Sequence, residues 1–78
     1  MAHFLIDEND ALTDVGIFAD AGLQIGDVLI SIYDGFNTWI VNDGGDRQAI
    51  LLWQFTQPTL TVNYRRDGEP FSVVMQNI

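Results

Sequence analysis

The sequence predicts a small α+β domain, a partly closed antiparallel β-sheet capped by two helices. Three observations carry that expectation. Leu60, Val62 and Tyr64 alternate with Thr59, Thr61 and Asn63, the period-two pattern of a half-buried strand. Arg66-Asp67-Gly68-Glu69 then reads as a hairpin turn, after which residues 71–75 return antiparallel. Between residues 46 and 55, Ala49, Ile50, Leu51, Leu52, Trp53 and Phe55 give a wide apolar face that Pro58 stops, which predicts a helix.

The remaining elements follow in order. Residues 3–6 form a brief apolar run, read as a strand, and Asp7, Glu8, Asn9 and Asp10 as the polar loop it enters. Residues 15–21 predict a short helix or turn, with Asp14 able to cap it and Gly22 ending it where a left-handed backbone is needed. Val28, Leu29, Ile30, Ile32 and Tyr33 are a dense β-branched run closed by Asp34-Gly35, and so a central strand. Residues 36–41 are apolar but aperiodic and read as a loop with one extended piece. Asn42, Asp43, Gly44 and Gly45 break the chain before the second helix, which Asp43 or Asp46 can cap.

Seventy-eight residues allow one domain, spanning 1–78 and expected to be cut from a longer chain. There is no cysteine, so packing must supply the stability that disulfides or thiolate-bound metal give other small domains. The charge is lopsided. Residues 1–46 carry nine acids and no base, residues 47–78 three Arg against Asp67 and Glu69, and the whole chain has a formal net charge of −8 with no Lys. Phosphate backbones and anionic lipid surfaces repel such a chain, which argues against nucleic acid and membrane surfaces as partners. No apolar run approaches the ~20 residues needed to span a bilayer, and no signal peptide is visible.

Chemistry-bearing constellations are sparse. The one histidine, His3, stands at the start of the chain with no nucleophile beside it, and no carboxylate pair carries a protease signature, so no catalytic residue is assigned. Asp7-Glu8-Asn9-Asp10 begins like a calcium loop but has Leu12 at the obligatory glycine and Phe18 at the closing glutamate, so no metal site or cofactor is expected. Gly22, Gly26 and Gly35 do not fit a dinucleotide fingerprint.

Residues 16–32, Gly-Ile-Phe-Ala-Asp-Ala-Gly-Leu-Gln-Ile-Gly-Asp-Val-Leu-Ile-Ser-Ile, resemble the core signature of bacterial PDZ domains, where a small helix ends in Ala-Gly-Leu and Gly-Asp launches a central strand. The hairpin at Arg66-Asp67-Gly68 is a second point of resemblance, which extends over residues 2–76. In that reading Gly22 and Gly26 make tight turns, Leu23 plugs the core and Asp27 caps the turn.

The resemblance implies a non-catalytic, PDZ-like peptide-recognition domain that adds a partner strand beside a helix. The groove would lie between His3, Phe4, Leu5 and Ile6 on one side and Asp46, Ile50 and Trp53 on the other. Only Met1 and Ala2 stand where the family places its carboxylate-binding loop, a departure that suggests a trimmed front edge. Phe18, Gly22-Leu23-Gln24, Leu60-Thr61-Val62 and Arg66-Asp67-Gly68 look most like the PDZ domain of type II secretion system protein C, whereas HtrA-type and site-2 proteases carry a Ser-Pro-Ala-like start to the short helix. Either subfamily implies a bacterial envelope protein in the periplasm or another extracytoplasmic space, where the domain regulates or targets an attached protease or serves a secretion machine. The acidic half holds the expected groove strand, so the expected peptide partner is neutral or basic. A different class of reading is a free-standing small protein whose exposed apolar edge forms a homodimer.

Overall fold

The alternation of β5 (Thr59–Arg66) places Leu60, Val62 and Tyr64 on one face of the sheet, and everything else in the fold is built around that buried row. A computed structural model describes residues 4–41 and 58–76. Its other strands are β1 (Leu5–Ile6), β2 (Leu12–Asp14), β3 (Val28–Tyr33), β4 (Thr38–Ile40) and β6 (Glu69–Gln76), with a 3-10 helix over Gly16–Ala21. They form two antiparallel sheets, β1-β2 and β4-β3-β5-β6. The small sheet is stitched to the start of β3: the Leu12 amide donates to the Asp27 carbonyl at 2.8 Å, the Gly26 amide to Leu12 at 2.9 Å and the Leu29 amide to Asp10 at 2.9 Å.

This architecture corrects the expected α+β fold capped by two helices. Strands account for 54% of the described residues, which hold no α-helix, so the described fold is mostly β and is not a helix-capped PDZ-like sheet. The expected first helix is the six-residue 3-10 turn. Its short length, the lack of a side-chain cap on Val15 and Gly16 at φ 52° leave too little to nucleate an α-helix, and the amide of Phe18 closes instead on Val15 at 2.9 Å. The expected second helix, over residues 46–55, lies outside the described residues. Two further strands stand where the sequence predicts none or only a loop with one extended piece. β2 exists because Asp7 to Asp10 is a tight turn, with the Asp7 carboxylate accepting the amides of Asn9 (2.8 Å) and Ala11 (3.1 Å), and so brings Leu12 back along β1. β4 exists because Asp34 accepts the amides of Phe36 and Asn37, each at 2.8 Å, and Gly35 takes φ 102°, which makes a two-residue hairpin closed from the Asp34 amide to the Asn37 carbonyl at 3.2 Å.

Phe18, Leu12, Leu29, Ile32, Leu60 and Val62 are fully buried, with Phe4, Leu23, Val41, Tyr64 and Met75 close behind. Leu29 and Ile32, three apart, can both face the core only because β3 bulges between Leu29 and Ser31, which turns Ile30 outward. Phe4 and Phe18 rest against each other in a tilted pair, ring centres 5.0 Å apart.

One polar contact reaches across this core's rim. The Asp27 carboxylate is buried and accepts from Arg66 Nε at 3.0 Å, Arg66 Nη2 at 2.8 Å and the Gln24 amide at 2.8 Å, while Arg66 Nη2 also donates to the Gly22 carbonyl at 3.1 Å. The guanidinium lies 5.6 Å from the centre of the Tyr64 ring. The hydrogen bonds from Arg66 outweigh the cost of burial and hold the Asp27 carboxyl below the ordinary carboxylate range, helped by the Gln24 amide.

Two outcomes are expected. Phe18→Ala removes the largest fully buried side chain among the described residues and should cost about 3–5 kcal/mol in chemical denaturation. Because the folded pKa of Asp27 is depressed, the unfolded chain takes up this proton first as pH falls. The stabilisation is complete well above the unfolded value of about 3.9 and is lost as pH drops through the lower folded value. The stability difference between wild type and Asp27→Asn should therefore be constant from pH 7 to about 5 and shrink below about 4. A difference that stays constant down to about pH 2 would remove Asp27 as its source.

Candidate functional site

The hairpin joining β5 to β6 decides which backbone groups the last strand leaves free. Asp67 (φ 54°) and Gly68 (φ 81°) both take positive φ, the conformation of a two-residue type I′ turn, and Arg66 opposite Glu69 is its closing pair. Hydrogen-bonded and non-bonded pairs alternate from there. Glu69, Phe71, Val73 and Met75 thus point their amides and carbonyls at β5, whereas Pro70, Ser72, Val74 and Gln76 point theirs away from it. No other strand pairs with that outer side among the described residues. Pro70 fits the scheme, since it falls where a missing N–H costs the ladder nothing.

The edge beyond Pro70 is unguarded. Phe71-Ser72-Val73-Val74-Met75-Gln76 contains no charge, no proline and no glycine, although natural edge strands are usually blunted by such residues. Phe71 and Val74 are exposed, Val73 is partly buried, and Phe71 stacks on Tyr64 with ring centres 5.7 Å apart, which stiffens the strand where the edge begins. β4, the opposite edge, has three residues and offers a much shorter template.

Beside this edge lies the outer face of the sheet. A shallow depression of about 290 Å³ opens there, lined by Ile30, Asn63, Arg65, Pro70 and Ser72 together with Tyr64 and Phe71. Asn63 Nδ2 donates to Ser31 Oγ at 3.0 Å and fixes its floor. Tyr33, Ile40 and Val74 continue the face as exposed apolar side chains.

Three of the residues expected to form a groove are described. Phe4 is buried against Phe18, Leu5 is exposed and Ile6 is partly buried, with β1 limited to two residues paired to β2. His3, Asp46, Ile50 and Trp53 lie outside the described residues. Of the seven, only Leu5 and Ile6 share a described strand, and the expected opposite wall of the groove lies outside the described residues. The β6 edge was missed, although its signal is in the sequence: an uncharged six-residue run following an Asp-Gly hairpin. Reading Phe71 to Met75 as one more sheet strand left open which of its sides is covered. Among the described residues no three His, Asp or Glu side chains gather as a metal site would require, and no helix is long and apolar enough to cross a membrane.

No family model, curated protein or solved structure matches the chain.

The register makes a residue-level prediction. In amide hydrogen exchange, Phe71, Val73 and Met75 should be protected and Ser72, Val74 and Gln76 should exchange quickly. Equal protection of both sets would show that something already covers this edge.

Proposed function

We propose that this chain is a non-catalytic interaction module that takes an extended segment of another protein onto the free edge of β6. The observation that carries this reading is the outward-facing backbone of Ser72, Val74 and Gln76 on an uncharged edge strand. Strand addition draws its affinity from main-chain hydrogen bonds and its specificity from pockets for alternate side chains. Both requirements have a counterpart here, in an edge that no described strand pairs and in the depression beside it.

The resemblance of residues 16–32 to bacterial PDZ domains supports the same class of ligand, an extended peptide, and it is the sole support for an extracytoplasmic setting in an envelope protease or secretion protein. The seating differs: the site proposed here is the edge of β6, not a groove beside a helix. A second copy of the chain is the competing occupant of the same edge. Its own edge segment, residues 70–76, carries no acid to set against Arg65 beside this edge, so a different protein is the favoured occupant.

The test is selection of random peptides displayed on phage against wild type and against Val74→Pro. The substitution deletes an outward N–H and leaves the β5 ladder intact, so the urea midpoint should move little. Wild type should enrich peptides that Val74→Pro does not retain, while sedimenting as a monomer. No enrichment on wild type, or equal retention by the folded variant, overturns the proposal.

A further inference from the structure

The outer face differs in charge from the rest of the molecule. Register and alternation place Val28, Ser31, Tyr33, Thr38, Ile40, Thr59, Thr61, Asn63, Arg65, Pro70, Ser72, Val74 and Gln76 on it, joined by bulged Ile30. None is acidic, in a chain with eleven acids. The described carboxylates sit elsewhere: Asp7, Glu8 and Asp10 in the β1–β2 turn, Asp14 and Asp20 by the 3-10 helix, Asp34 and Asp67 in hairpins, and Glu69 on the core side opposite Arg66. Asp27 is taken up by Arg66.

Among the described residues Arg65 is the one charge on this face. It is exposed, lines the depression, and makes no hydrogen bond or ion pair among the described residues. Its neighbour on β6 is Pro70, whose short ring leaves the guanidinium a path over the strand toward the open edge. A strand added to β6 would lie two strand spacings, about 10 Å, from β5. An extended arginine and an extended acidic side chain close that gap between them.

Resting on the strand-addition reading, we infer that the segment bound at β6 carries an aspartate or glutamate at the position facing Pro70, where it pairs with Arg65 over the depression. The chain-wide balance of −8 argues for a neutral or basic partner, but exposed charges more than about 8 Å apart are largely screened at physiological salt. The nearest free charge on this face therefore sets the preference. A second copy of the chain is a poor fit, because residues 70–76 contain no acid to offer.

The experiment extends the displayed-peptide selection to Arg65→Gln and Arg65→Glu, neither of which disturbs a described contact. Wild-type pools should concentrate Asp or Glu at one position of the aligned binders. Arg65→Gln should lose that bias and bind the selected peptides roughly fivefold more weakly, the scale of one partly exposed ion pair. Arg65→Glu should shift the same position to Lys or Arg. Binders that depend on the Val74 edge yet show no acidic bias, or the same bias with all three proteins, overturn this inference and leave strand addition standing. Failure to select any edge-dependent binder overturns strand addition itself.

Discussion

The contact between Asp27 and Arg66 is the constraint on which the described fold turns. A carboxylate with this little exposure is costly unless paired and hydrogen-bonded, and Asp27 meets both conditions through residues far apart in the chain. Arg66 closes the β5–β6 hairpin; Asp27 closes the turn that launches β3 and, through its carbonyl, anchors β2. The pair therefore fixes the small sheet, the central strand and the final hairpin relative to one another. Its partners are local as well: Gln24 and Gly22 bind the same two side chains, so the loop between the 3-10 helix and β3 has its shape set by the ion pair it supports.

This contact also determines which way the neighbouring residue points. Alternation along β5 gives Arg66 to the core side and Arg65 to the opposite face. Two adjacent arginines thus acquire different roles, one clamped to a buried carboxylate and one left to solvent on a face without acids. A one-residue slip of β5 would exchange them and bury Thr61 and Asn63 in place of Val62 and Tyr64. The strong register of the buried row is what protects this division.

Much of this was legible in the residues, and the reasons for the remainder are physical. β5, the Asp67-Gly68 hairpin and β3 follow from period, turn chemistry and β-branched density. The roles the resemblance implied for Leu23, a core plug between Gly22 and Gly26, and for Asp27, a turn cap just after Gly26, match the burial of Leu23 and the bond Asp27 accepts from the Gln24 amide. The 3-10 segment was readable as a short helix or turn but not as to type, because that depends on missing caps and not on hydrophobicity. β2 and β4 are three residues each, too short for a period to declare itself, and their existence rests on Asp7 and Asp34 bonding their own backbone. The candidate edge was hardest to see. A sequence shows that a strand is apolar and uncharged; only topology shows that one of its sides has no neighbour among the described strands.

Pro70 gives that edge its direction. Without a proline, the outward backbone would run unbroken from the hairpin to Gln76, and a partner strand could pair at several registers. With Pro70 in place, the donors begin at Ser72, and next to the hairpin only the Pro70 carbonyl is left to accept from a partner. The position facing Pro70 thus has half the backbone pairing of the others and leans on side-chain chemistry, and it is there that Arg65 and the depression lie. Backbone hydrogen bonds from Ser72 to Gln76 are indifferent to the partner's sequence, whereas a cation beside a donor-poor step is not. The arrangement separates affinity from selectivity along a single strand, and places the selective end next to the Asp27–Arg66 clamp.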